Sequence, residues 1–179
     1  MRRNIKIITI LTSAILVSFL SLYSRYHADS QPKTLPVKVL EVHDGDTISV
    51  SLNGKREKIR LIGIDAPELD QKPWGDKAKR HLVELIKTSQ SYVSLEYDIE
   101  KRDKHGRLLC YVWLSDGRML NLQMLKDGYA ILFTVPPNIR YINKLRNGQH
   151  EARIKKVNIW GKEGLKEKPV EYRREHPGF

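Results

Sequence analysis

The sequence has a single cysteine, Cys110, in 179 residues. An intramolecular disulfide is therefore impossible, and a cysteine-rich zinc site is excluded. Six histidines are present but scattered, with no spacing that suits a zinc site. Glycine and proline are neither abundant nor periodic, at 11 and 8 residues, which excludes collagen-like and mucin-like chains. Acidic residues are outnumbered, 21 against 32 basic ones, for a formal net charge of +11. Such an excess suits a polyanionic partner, either nucleic acid or an anionic membrane surface. What remains is a chain long enough for one domain with a sizeable core that needs no disulfide. Cys110 lies in an apolar run and reads as a small core residue rather than a reactive thiol.

Long apolar runs are also missing, with one exception. Residues 7–23 carry no charge and follow Arg2, Arg3 and Lys6. As a helix this run would cover about 26 Å, a little less than the hydrocarbon core of about 30 Å. Residues 1–29 therefore read as a signal peptide or an uncleaved membrane anchor, with a hydrophobic helix ahead of the fold. Tyr26 and Leu22 make poor cleavage signals, which favours the anchor. Under either reading the rest of the chain is expected outside the cytoplasm, secreted or tethered through 7–23. Residues 30–36 read as a linker with two prolines.

From residue 37 the pattern is that of short strands. Val37–Val42 is largely apolar, and Thr47–Leu52 alternates. Asn53-Gly54 then marks a tight hairpin, and 58–64 returns as its partner. Residues 75–88 change period: Ala78, Leu82, Leu85 and Ile86 recur on one helical face. Strands are expected at 92–97 and 107–114, a short helix at 119–127 and a basic helix at 141–157. Residues 162–179 are polar and read as a loose tail. Five short strands with about three helices predict a mainly β fold, a five-stranded Greek-key OB barrel over 37–161.

Three segments concentrate charge where a barrel has little use for it. They are His43-Asp44-Gly45-Asp46-Thr47, Arg60 through Glu68, and Asp103-Lys104-His105-Gly106-Arg107. Asp46, Asp65 and Glu68 fall at strand ends that would pair. Three converging acids repel one another unless a cation lies between them, and hard oxygen donors favour Ca2+ or Mg2+. Arg60 interrupts an apolar strand, and a buried guanidinium needs an anionic partner. Arg60 and Arg107 are two forks able to grip one phosphate. Taken singly, each feature is equally compatible with a turn or a local ion pair. Together they fit phosphodiester hydrolysis.

Asp-Gly-Asp-Thr, Arg-Leu-x-Gly-Ile-Asp-Ala-Pro-Glu and Asp-x-x-Gly-Arg, in this order, resemble the staphylococcal nuclease (thermonuclease) family. Asn121-Leu122, Gly128-Tyr129-Ala130, Pro137-Asn138 and Asn158-Ile159-Trp160 extend the resemblance over about 36–161. The resemblance implies an OB barrel and a Ca2+-dependent nuclease of DNA and RNA that leaves 3′-phosphates. It implies metal binding by Asp46, Asp65 and the Ala66 carbonyl, and catalytic roles for Arg60, Glu68 and Arg107. It assigns phosphate contact to Lys104. His105 stands where well-known members have a tyrosine, and Phe133 alone represents an aromatic pair that packs on the base. A monomer with nucleic acid as substrate is expected. Two rival readings are a catalytically silent OB module that binds single strands and a membrane-tethered interaction protein.

Overall fold

Alternation of β-branched and polar residues gives the first strands, and the chain then reverses where Asn53 and Gly54 both take positive φ. The computed structural model describes residues 35–177. Strands β1 (Val37–Val42), β2 (Thr47–Leu52), β3 (Lys55–Leu61), β5 (Tyr92–Arg102) and β6 (Leu108–Trp113) form a closed barrel in the order β1-β2-β3-β6-β5. Closure pairs β1 with β5 and joins β3 to β6 in parallel, so no edge of the sheet is left open. The expected five-stranded barrel is thus present. Two-residue strands β4 (Ile64–Asp65) and β7 (Ile131–Leu132) add a small second sheet.

Helix α1 (Trp74–Lys87) buries Ala78, Leu82, Leu85 and Ile86, the apolar face read from the sequence. These side chains share one core with Ile48, Val50, Ile59, Leu61, Val93, Leu95 and Val112 from the barrel. Helices α2 (Leu120–Lys126) and α3 (Ile142–Ile154) cover the barrel's flank. Asn121, fully buried on α2, accepts from the Val112 N–H and donates to the Ile62 and Cys110 carbonyls. It clamps the helix to β6 and to the chain leaving β3. Cys110 is itself buried, and burial pushes its thiol up to about 12.

Residues 162–179, read as a loose tail, instead carry helix α4 (Pro169–Glu175). Pro169 opens the helix, and Glu171 returns to the Lys168 N–H as in a capping box. Leu165 packs on the small cluster of Trp74, Ile131 and Ile159 and ties this segment to the domain.

No helix among the described residues is long and apolar enough to cross a membrane. The longest has 14 residues and one polar face, a span of about 21 Å. Against the expectation of a membrane-anchored protein outside the cytoplasm, the described residues thus supply no helix that could tether it. The run 7–23, on which that expectation and the N-terminal hydrophobic helix rested, lies outside the described residues.

Candidate active site

The register of β2 and β3 builds the site. It sets Thr47 opposite Arg60, so the turn bearing Asp46 meets the arginine from the end of β3. Arg60 reaches Asp46 Oδ2 at 3.1 Å and Asp65 Oδ1 at 3.0 Å. It also donates to the Ile64 carbonyl at 2.9 Å. Strand β3 proves rich in charge rather than apolar, but Arg60, flanked by buried Ile59 and Leu61, has the anionic partners that its burial demands. Asp46 is further held by the Ala66 N–H at 2.8 Å and the Thr47 hydroxyl at 3.0 Å. Asp65, in β4, is completely buried.

Glu68 lies on the loop between β4 and α1. That loop is fixed through Gln71, whose Oε1 accepts from the Glu68 N–H at 3.0 Å. Gly75 presses directly on it: a Cβ there would lie 2.0 Å from the Glu68 carbonyl oxygen. A glycine at the start of α1 thus sets where Glu68 can sit.

Arg107 is placed by a separate turn. Asp103 accepts from the His105 and Arg107 N–H groups at 2.9 and 3.0 Å, and from Arg107 Nε at 2.7 Å. Burial alone would raise the Asp103 carboxyl, but Arg107 and these donors hold it below its ordinary value.

One cavity of about 680 Å³ gathers the parts. Asp46, Arg60, Ala66, Glu68, Lys104, His105, Arg107 and Phe133 all line it. Asp65 does not; it lies beneath, linked to the cavity through guanidinium groups. Arg107 faces the same cavity but pairs with Asp103 rather than with the three acids. Asp44 also lines the wall, and burial followed by the charge of Asp46 pushes its carboxyl up to about 7.

Sequence reasoning missed one contributor. Arg173, on α4, donates to Asp65 Oδ2 at 2.9 Å and to Glu68 Oε1. The segment carrying it is moored by the Glu167 carbonyl, which accepts from Gln71 Nε2 at 3.0 Å. Its only sequence signals are Pro169 at a helix start, Glu171 in the first turn and arginines in the last.

Two cations thus stand among the three acids, and both are arginines. The donors are all hard oxygens, and the only cysteine is shut in the core, so the donor chemistry fits Ca2+ rather than zinc. The spacing, however, is that of ion pairs: among the described residues no group of three His, Cys, Asp or Glu side chains is gathered to hold a metal ion.

Comparison with known proteins agrees with this geometry. The sequence profile described as "Staphylococcal nuclease homologue" matches residues 58–162, more than half of the chain. The chain is 43% identical over 131 residues to "Thermonuclease" of Staphylococcus intermedius, covering 68% of this chain and 74% of that protein. It is 40% identical over 132 residues to "Thermonuclease" of Staphylococcus hyicus, covering 69% and 74%. It is 36% identical over 145 residues to "Endonuclease YncB" of Bacillus subtilis (strain 168), covering 77% and 67%. With its barrel, its arginine-acid cavity and these relatives, the chain belongs to the staphylococcal nuclease homologue family.

Proposed function

We propose that this protein is a Ca2+-dependent nuclease that hydrolyses phosphodiester bonds of DNA and RNA and leaves 3′-phosphates. One observation carries the reading: one cavity is lined by Arg60, Arg107, Glu68 and the basic turn of Lys104 and His105, on a domain of thermonuclease kinship.

The cavity's own residues suggest a division of labour. Arg60 from β3 and Arg107 from the turn before β6 grip the phosphoryl oxygens from two sides. Their donors gain most as charge builds on those oxygens, so they act chiefly in the transition state. Glu68 orients the attacking water and accepts its proton. Lys104 meets a neighbouring phosphate, while His105 and Phe133 face the sugar and base. Asp46, Asp65 and the Ala66 carbonyl would hold Ca2+, which when bound neutralises and polarises the phosphate.

The test is digestion of end-labelled DNA and RNA oligonucleotides by the full chain, in Ca2+ and in EGTA. Cleavage confined to Ca2+, with every new end a 3′-phosphate, is the expected outcome. Equal cleavage in both media would remove the metal from the reading, and no cleavage would remove the enzyme.

A further inference from the structure

Asp46 and Glu68 on the cavity wall and Asp65 beneath it share two guanidiniums, and the two guanidiniums differ in kind. Arg60 belongs to a barrel strand and is fixed by two backbone carbonyls as well as by its acids. Arg173 comes from a seven-residue helix near the end of the described chain, and its side chain is still 37% exposed. It bridges Asp65 and Glu68, two of the acids that the proposed mechanism uses.

We propose that α4 is a displaceable strap, whose Arg173 serves as an internal cation that competes with the divalent ion for Asp65 and Glu68. The inference rests on the metal reading above and deepens it. With Arg173 in place, Asp46, Asp65, Glu68, Arg60 and Arg173 sum to a charge of −1. Withdrawing Arg173 leaves −2, which a divalent cation matches. It also leaves one oxygen of Asp65 and the Glu68 carboxylate without the donors that now occupy them.

The strap is built to let go. Besides Arg173's own ion pairs, it is tethered by Leu165, which packs on the domain and donates its N–H to the Ile159 carbonyl, and by the Gln71–Glu167 hydrogen bond rather than by a broad apolar face; Pro169 is the one residue of α4 that is buried. Docking also buries Glu167 Oε1 with no hydrogen-bonding partner among the described residues, which opposes the docked state. Linkage then makes the two events reciprocal: docking weakens the cation's affinity, and the cation loosens docking by the same factor. A strap docked nine-tenths of the time would weaken apparent cation binding about tenfold.

The experiment uses the full chain and two readouts other than catalysis. Ca2+ is titrated calorimetrically into the wild type, Arg173→Gln and Arg173→Lys. Amide hydrogen exchange over residues 168–176 is followed in the wild type with and without Ca2+. The expected result is about tenfold tighter Ca2+ binding in Arg173→Gln, wild-type-like or intermediate binding in Arg173→Lys, and faster exchange of α4 when Ca2+ is added. Equal or weaker binding in Arg173→Gln would overturn the strap while leaving the metal reading intact, and so would exchange that ignores Ca2+. If none of the three proteins bound Ca2+, the metal reading would fail and the strap with it. The exchange measurement needs no variant, so the strap can be refuted even if Arg173→Gln does not fold.

Discussion

Among the described residues, replacing Arg60 with alanine would strip Asp65 of one of its two guanidinium partners and Asp46 of its only ion-pairing arginine. Asp65 is wholly buried and cannot turn to water for compensation. Breaking a buried pair by removing one partner costs about 3 kcal/mol or more. Arg60→Ala is therefore expected to lower the unfolding free energy by about that amount in urea titration, besides reducing turnover. An unchanged midpoint would mean that the arginine is held for chemistry alone. The sequence made Arg60 conspicuous, because a guanidinium between apolar Ile59 and Leu61 requires an acid nearby. It could not say that Arg107 is held by Asp103, four residues away in the same turn, rather than by the acidic cluster. Nor could it expose Arg173, since one of two adjacent arginines in a charged segment has no periodic neighbours to mark it.

Elements were legible in proportion to the regularity of their pattern. The alternation of 47–52, the Asn53-Gly54 turn and the apolar face of α1 each repeat a period that only one structure satisfies. The β4–β7 pair escaped notice because two residues make no period. Strand β5 runs on to Arg102, past the expected end at 97, through residues 98–102, polar except for exposed Ile99 and held in part by bonds to their backbone. Asn138, for example, both accepts from the Glu100 N–H and donates to its carbonyl at 2.8 Å. Helix α4 had caps but no apolar stripe. The clearest expectation at this scale concerns α1 and the Glu68 loop. Gly75→Ala must move the Glu68 backbone, since a Cβ would sit 2.0 Å from its carbonyl oxygen. A displacement of about 1 Å at a catalytic group can cost about a hundredfold in rate. Gly75→Ala is thus expected to lower kcat about a hundredfold while the barrel, followed by near-ultraviolet circular dichroism, stays folded. Wild-type turnover would show that Glu68 does not depend on this packing.

At the scale of the whole molecule, the barrel supplies a rigid rim on which distant segments meet. Asp46 comes from the β1–β2 turn, Arg60 from β3, Glu68 from the β4–α1 loop and Arg107 from the turn before β6. The net charge of +11 gives such a rim a long-range attraction for polyanions. The central claim is that the cavity these segments enclose breaks phosphodiester bonds. Arg107 tests it most cleanly, because among the described residues its side chain pairs with Asp103 alone and is 30% exposed, so its loss should leave the fold unharmed. The measurement is the kcat of Arg107→Ala on a single-stranded oligonucleotide at saturating Ca2+, alongside its thermal midpoint. A fall of about a hundredfold or more, with the midpoint unmoved, is the result predicted for a lost transition-state donor. Turnover equal to that of the wild type would contradict the account.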